Sequence, residues 1–294
     1  MNFSIRPFAQ DDLPATMRFC DRARAVDPGI EPFARGLGAL ASGSRARLDL
    51  WRVAPEGDGE VCGIAFAAVR EARPLRAPPW LEVYAAVAPG RRRHGIGSAL
   101  FEAILAEPAS LRSRVPEDSA EGRAFLHALG FLDKSVQLSM LWSAKPLERR
   151  PSTAFQLRRV KREDAQVLEK LVREAWAGTP DTFSTRAQDV DRFFAEGQTA
   201  LVAETAQGPV GYLSGAWLGK ALAVEEMAVL PGARHSGIGR ALLVEAIRDA
   251  SHAMLTVTES NHAARALYGS LGFATSARRI VCERAAARTR AVPR

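Results

Sequence analysis

The sequence predicts an α/β (α+β) protein made of two tandem domains, each a mixed, twisted sheet flanked by helices. Three observations carry this. A glycine-rich segment occurs twice: residues 89–100 read P-G-R-R-R-H-G-I-G-S-A-L and residues 231–242 read P-G-A-R-H-S-G-I-G-R-A-L. The copies share one register, because Pro89, Arg92, Gly95 and Gly97 return 142 positions later as Pro231, Arg234, Gly237 and Gly239. At the same offset Leu129-Gly130-Phe131 returns as Leu271-Gly272-Phe273, and two matches in register mean a duplicated domain. Finally, strand-like and helix-like runs alternate in each half, which fits a mixed sheet with helices on both faces.

The elements follow one plan in both halves. Residues 3–8 and 155–160 read as opening strands, and 11–25 and 163–177 as the helices after them. Asp11 and Glu163 stand at the helix starts, where an acid complements the dipole. The runs 48–53 with 61–69, and 200–205 with 210–218, read as hairpins turning at 55–59 and 207–209. The hydrophobic runs 81–87 and 222–230 then lead into the glycine segments, and the amphipathic runs 98–105 and 240–247 follow them. Each half closes with a short strand, a helix ending at the glycine of L-G-F, and a final strand at 132–142 or 277–282. The expected domains are therefore 1–145 and 154–285, joined by a polar linker at 146–153 and followed by a basic tail at 286–294. The first half is ten residues longer ahead of its loop, and insertions belong in surface segments, here 25–47 or 70–79.

Composition narrows the class. A chain of 294 residues with 47% hydrophobic and 25% charged residues is globular and long enough for two ordinary domains. No apolar run approaches the roughly 20 residues of a membrane span, and the N-terminus reads as a strand, so no membrane partner is expected. Cys20, Cys62 and Cys282 are scattered, which argues against a disulfide framework or a metal cluster and for a reducing cytoplasm. The abundance of Ala and Arg fits a GC-rich bacterial source. The net charge of +7 is unevenly held: 21 Lys+Arg stand against 18 Asp+Glu in residues 1–150, and 15 against 15 in 151–283. The rest is Arg284, Arg288, Arg290 and Arg294 at the terminus. No basic stripe with interleaved aromatics points to nucleic acid.

Strand, glycine turn and helix together make an anion site. The first N–H groups of a helix have no internal partner, and the dipole there favours negative charge. Glycines let the backbone come close to a phosphate, and an arginine adds a charged donor.

In the second half Arg234-His235-Ser236-Gly237-Ile238-Gly239 is followed by Asn261-His262-Ala263-Ala264-Arg265-Ala266-Leu267-Tyr268 and then Leu271-Gly272-Phe273. This pattern resembles the GNAT acetyltransferase superfamily, and as two halves the resemblance covers nearly the whole chain. It implies acetyl-coenzyme A as co-substrate, with its pyrophosphate on the loop. The cofactor-binding positions it implies are Met227, Ala228, Val229, Arg234, His235, Ser236, Gly237, Ile238, Gly239, Arg240, Asn261 and Tyr268. The first half keeps the loop, so Arg92, Gly95 and Gly97 are counterpart positions, but Ser119 replaces Asn261 and Leu126 replaces Tyr268. A coenzyme site without turnover, a scaffold and a second active site all remain open for it; the scaffold is the leading reading.

Acetyl transfer to an amine requires a neutral amine, a stabilised oxyanion and a protonated leaving thiolate. The resemblance assigns Tyr268 as acid, and its ordinary pKa near ~10 keeps it protonated at neutral pH. It also assigns the backbone N–H groups of Met227, Ala228 and Val229 to the thioester carbonyl. Glu225 and Glu226 are the candidate bases; by strand alternation Glu226 shares a face with Ala228, and Glu225 with Met227 and Val229. Glu259 is a third candidate, and Thr256 and Thr258 leave room for a water-relayed base. Asn261 reads as a helix N-cap. Residues 176–194, especially Asp181, Phe183 and Phe194, together with Trp217, are candidates for the acceptor pocket.

The expected activity is N-acetylation of a small-molecule primary amine in the C-terminal half. The tandem layout resembles that of mycothiol synthase and of small-molecule resistance acetyltransferases with paired domains. The alternatives are a protein or peptide N-acetyltransferase and, from another class, a non-catalytic acyl-coenzyme A sensor. Two halves can pair as a pseudo-dimer, which favours a monomer over a homodimer.

Overall fold

The computed structural model describes residues 3–24, 47–57, 59–70, 80–145, 147, 154–177 and 187–286. Most of both expected insertions, most of the linker, Asp181, Phe183 and most of the basic tail lie outside the described residues. The strands are β1 (Arg6–Pro7), β2 (Arg52–Glu56), β3 (Glu60–Arg70), β4 (Trp80–Val87), β5 (Ser110–Pro116), β6 (Leu132–Ser143), β7 (Gln156–Arg159), β8 (Gln198–Thr205), β9 (Gly208–Leu218), β10 (Ala221–Val229), β11 (His252–Thr258) and β12 (Ala274–Arg284). The helices are α1 (Leu13–Arg24), α2 (Ile96–Leu105), α3 (Ala120–Ala128), α4 (Ala165–Ala175), α5 (Ile238–Ala246) and α6 (His262–Leu271).

The described residues form two compact units, one drawn from residues up to 72, from 78–134 and from 279 onward, the other chiefly from 135–278. Strand order in the first is β1-β2-β3-β4-β5-β12, and in the second β6-β11-β10-β9-β8-β7. Both sheets are mixed, with β4–β5 and β10–β11 parallel. The closing strands depart from the sequence reading. β6, expected to close the first half, runs antiparallel to β11 of the second unit, with His252 opposite Ser143 and Thr258 opposite Gln137. Residues Arg279–Arg284 of β12 instead pair with β5 of the first. Periodicity identifies a strand but not its partner, and these partners are far away in sequence.

Each sheet is covered on both faces. In the second unit Leu242 and Leu243 of α5 and Leu271 of α6 pack with Leu213, Leu222 and Leu255. On the other face Leu168, Leu171 and Val172 of α4 pack with Val202, Tyr212 and Ala228. Leu168, Leu242 and Leu243 are fully buried, and each contributes about 1.5–3 kcal/mol. In the first unit Leu100, Phe101 and Ile104 of α2 lie over Leu81, Val83 and Leu111, and Phe19 of α1 over Trp51, Ile64 and Phe66.

Asp11 and Glu163 stand in the first turns at the helix starts, as expected. Beside them Asp12 and Asp164, both buried, make the hydrogen bonds that hold these turns. Asp164 accepts from the Lys161 N–H at 2.7 Å and from Arg158 at 2.7 and 2.8 Å. Asp12 repeats this with Ala9 and Arg6. Burial raises the Asp164 carboxyl, yet Arg158 and the Lys161 N–H outweigh it and hold the group below the ordinary carboxylate range. The first hairpin also shifts: 48–50 form a 3-10 turn, and Pro55 lies within β2 at a break in its register with β3.

Candidate active site

The site in the second half begins with an irregularity in β10. Val224 pairs with Gly215 and Glu226 with Ser214, so Glu225 is an extra, bulged residue. Gly215 permits the distortion, since a Cβ there would stand 2.6 Å from the Ala223 carbonyl oxygen. The bulge breaks alternation, because Val224 and Met227, three residues apart, pack against the same apolar cluster. Parity therefore no longer places Glu225 with Met227 and Val229, and Glu225 is exposed. Glu226 is 7% exposed, and Ala228 beyond it packs under α4. A bulge bends its strand and re-aims its side chains.

Beyond the bulge the sheet opens. β10 and β11 pair only from Ala221–His252 to Ala223–Met254, and then part. Leu230 N–H donates to Val210 of β9 at 2.9 Å. Ladder alternation then directs the Ala228 N–H to β9, and those of Met227 and Val229 into the split.

The loop after β10 leads into α5 through a glycine turn. Pro231–Ala233 form a 3-10 turn, His235 takes φ 63°, and Gly237 takes φ 85° as N-cap of α5. The left-handed region at Gly237 costs glycine nothing and most other residues roughly 1 kcal/mol or more. Among the described residues no side chain caps the α5 N-terminus, which leaves its first N–H groups without a capping partner. Ile238 anchors the helix in the core at 3% exposure, and Gly239 lies so close to Leu267 that a Cβ would approach to 3.2 Å. Ser236 Oγ donates to the Ala233 carbonyl at 2.6 Å. Arg240, in the first turn of α5, keeps its buried Nε without a hydrogen-bond partner among the described residues. Arg234 points elsewhere: Nη2 donates to the Ala175 carbonyl at 2.7 Å and Nε to the Val229 carbonyl at 3.3 Å.

Asn261 caps α6, its Oδ1 accepting from the Ala264 N–H at 3.1 Å. Tyr268 lies two turns on in α6, buried beside Phe273 with ring centroids 5.9 Å apart. Burial pushes its hydroxyl up to about 12. Tyr268 packs in the α5/α6 layer and Ala228, two residues past Glu226, in the α4 layer. Burial also pushes the Cys20 thiol to about 11 and, with Asp133 beside it, the Cys282 thiol to about 12. Such thiols stay protonated, which disfavours a covalent cysteine route.

Other sequence candidates divide. Glu259 is committed to Arg278 at 2.8 Å, and its backbone carbonyl accepts from Arg265 at 2.9 Å. Thr256 and Thr258 stand opposite Ser139 and Gln137. Trp176 packs in the α4 layer, but Trp217 belongs to the α5/α6 layer, on the other face. Phe194 is 45% exposed under the Arg162 guanidinium.

The first-half loop has the same backbone, with Arg93 at φ 65° and Gly95 at φ 82°. Gly97 repeats Gly239, a Cβ there reaching Phe125 at 3.3 Å. Arg92 Nε donates to the Val87 carbonyl at 3.2 Å, and Ser119 caps α3 as Asn261 caps α6. The strand ahead of it differs. β4 pairs with β3 through eight consecutive residues without a bulge. β4 and β5 part after Glu82–Arg112. Across that opening Glu82 forms an ion pair with Arg114 and accepts from Tyr84 at 2.8 Å. Leu126, at the place of Tyr268, is core.

The acetyltransferase (GNAT) family model matches residues 168–273. A mycothiol acetyltransferase of Clavibacter michiganensis subsp. michiganensis (strain NCPPB 382) is 30% identical over 287 residues, covering 91% of this chain and 90% of its own. The chain belongs to the GNAT acetyltransferase family. This acetyltransferase therefore uses acetyl-coenzyme A as co-substrate. Its fold matches a GCN5-related N-acetyltransferase from Sphaerobacter thermophilus at TM-score 0.73 and 21% identity, over 96% of this chain and 95% of that one. A tandem GNAT protein from the clavulanic acid biosynthesis pathway matches at TM-score 0.70 and 19% identity, over 97% and 99%. Among the described residues of the acetyltransferase, no helix is long and apolar enough to cross a membrane.

Proposed function

We propose that the second half acetylates a primary amine of a small molecule by direct attack, while the first half serves as a scaffold. The observation that carries this is the bulged β10, which parts from β11 with a buried carboxylate at the opening. β4 in the first half has no such bulge. The similar mycothiol acetyltransferase supports a small-molecule acceptor.

Acetyl-coenzyme A supplies the activated thioester. The α5 N-terminus and the 234–239 backbone would hold its pyrophosphate, and the Met227 and Val229 N–H groups would donate to the thioester carbonyl. Glu226 takes the proton of the attacking amine, directly or through water, as the new C–N bond forms. Tyr268, kept protonated by burial, gives its proton to the departing sulfur as the C–S bond breaks. Leu126 cannot do this in the first half, and the Glu82–Arg114 pair spans the corresponding opening. Buried thiols fit a reducing compartment such as the cytoplasm.

The test compares three proteins by calorimetric titration with acetyl-coenzyme A and by acetyl transfer to a panel of small amines. They are the wild type, Gly237→Asp/Gly239→Asp, and Gly95→Asp/Gly97→Asp. Transfer should vanish with the second loop and survive loss of the first. Full turnover by the Gly237→Asp/Gly239→Asp protein would refute the assignment.

A further inference from the structure

We propose that Arg234 is a positioning residue that transmits occupancy of the second loop to the last turn of α4. It is not principally a ligand of the coenzyme phosphates. The inference rests on the reading that the second loop takes the coenzyme.

Three observations lead there. Nη2 of Arg234 donates to the Ala175 carbonyl at 2.7 Å, across 59 residues of sequence. Ala175 is the last residue of α4, so its carbonyl is one of those a helix cannot satisfy internally, and a cation at that end also complements the dipole. Nε of the same side chain donates to the Val229 carbonyl at 3.3 Å, at the end of the strand that leads into the loop. One guanidinium thus ties the strand end to the helix end, and its rigid fork suits two carbonyls in different elements.

The first half repeats the strand-end bond. Arg92 Nε donates to the Val87 carbonyl at 3.2 Å. The duplicated loops therefore use their arginine alike, as a clamp on the strand that precedes them.

The backbone at Arg234 explains why occupancy would be felt. Arg234 closes the 3-10 turn with its N–H on the Pro231 carbonyl at 3.3 Å, and the chain then turns through His235 at φ 63° and Gly237 at φ 85°. A phosphate held by the N–H groups of this turn fixes the Arg234 backbone. The guanidinium passes that restraint to Ala175 and to Trp176, which packs in the same layer as Ala228. Coenzyme bound on one side of β10 would thereby order the helix end on the other, where Glu226 and Ala228 are buried. An acceptor would then meet a wall already set, with less ordering left to do on binding.

Hydrogen–deuterium exchange of the full chain, with coenzyme A as probe, tests this. In the wild type, saturating coenzyme A should slow exchange across residues 168–177 at least fivefold. In Arg234→Ala that slowing should disappear, while the Kd for coenzyme A changes threefold or less. Arg234→Lys, which keeps one donor, should retain part of it. A purely structural role would raise exchange equally with and without coenzyme and leave the ratio intact, which would overturn the proposal. So would tenfold weaker binding with normal slowing at saturation, the signature of a phosphate ligand, or a wild type that shows no slowing on binding. Gly237→Asp/Gly239→Asp runs alongside; if it binds coenzyme A as the wild type does, the loop assignment fails and the role of Arg234 falls with it, an outcome distinct from those that overturn Arg234 alone.

Discussion

At Tyr268 the proposed chemistry and the stability of the fold can be tested on one side chain. It is buried and its hydroxyl is raised to about 12, against about 10 in an unfolded chain. Folded and unfolded states are therefore both protonated below about pH 10, and the tyrosine's contribution is lost as pH rises from there through 12. A shift of this size corresponds to about 3 kcal/mol. Urea midpoints should accordingly fall more steeply between pH 9.5 and 11.5 for the wild type than for Tyr268→Phe; equal slopes would show that the hydroxyl is not the group titrating. At neutral pH the same substitution should lower turnover by roughly 100-fold or more with the Kd for acetyl-coenzyme A within threefold. The two glutamates should separate in the same assay. Glu226→Gln is expected to lower kcat/KM at least tenfold and Glu225→Gln less than twofold. The glycine turn and the closing helix that carries Tyr268 were legible in sequence, because positive φ selects Gly237, close packing on Leu267 selects Gly239, and the helix has a recognisable spacing. The contrast between Glu225 and Glu226 was not, since alternation presumes a regular ladder and the bulge breaks it.

Two elements set the site and two small features set those elements. The β10 bulge depends on Gly215, where a Cβ would meet a backbone oxygen that cannot move away. Gly215→Ala should cost about 1–3 kcal/mol, as overpacking does, and should lower kcat by more than it changes coenzyme affinity; thermal melting with steady-state kinetics reads both. The entry to α4 depends on Asp164, 5% exposed and held by Arg158 and the Lys161 N–H. Asp164→Asn removes one of the two carboxylates paired with Arg158, which keeps Glu204 at 2.7 Å, and should destabilise the protein by about 1.5–3 kcal/mol. Because the native carboxyl lies below its ordinary range, that stabilisation is present above the unfolded pKa and is lost as pH falls through the folded one. The wild-type advantage over Asp164→Asn should shrink steadily in acid melts below about pH 4. The sequence revealed the helices from their periodicity and an acid at each start, but not the ion pairs made by the neighbouring Asp12 and Asp164. Arg158 lies six positions before Asp164, and no helix or strand period brings such a pair together.

At the scale of the molecule, the duplication is plain in sequence and the exchange of closing strands is not. Both L-G-F segments announce a following strand, yet nothing local says that residues 279–284 complete the first unit while 135–143 serve the second. A chain ending at Arg278 should therefore damage the distant first unit. It removes Ile280, Val281 and Cys282, all buried, a loss of several kcal/mol, roughly 5 by apolar area. Limited proteolysis should then cut residues 1–134 rapidly, whereas a chain ending at Ala286 should resist as the full chain does. Neither half should be expressible as the simple piece that the repeat suggests. The same exchange orders events on the ribosome. The first half has β5 open along one edge until residues 279–284 are made, so it must wait, nearly complete, through the synthesis of the second. An unpaired strand edge held open that long invites pairing with other chains, and a chaperone would find its natural substrate in the first unit before β12 is made.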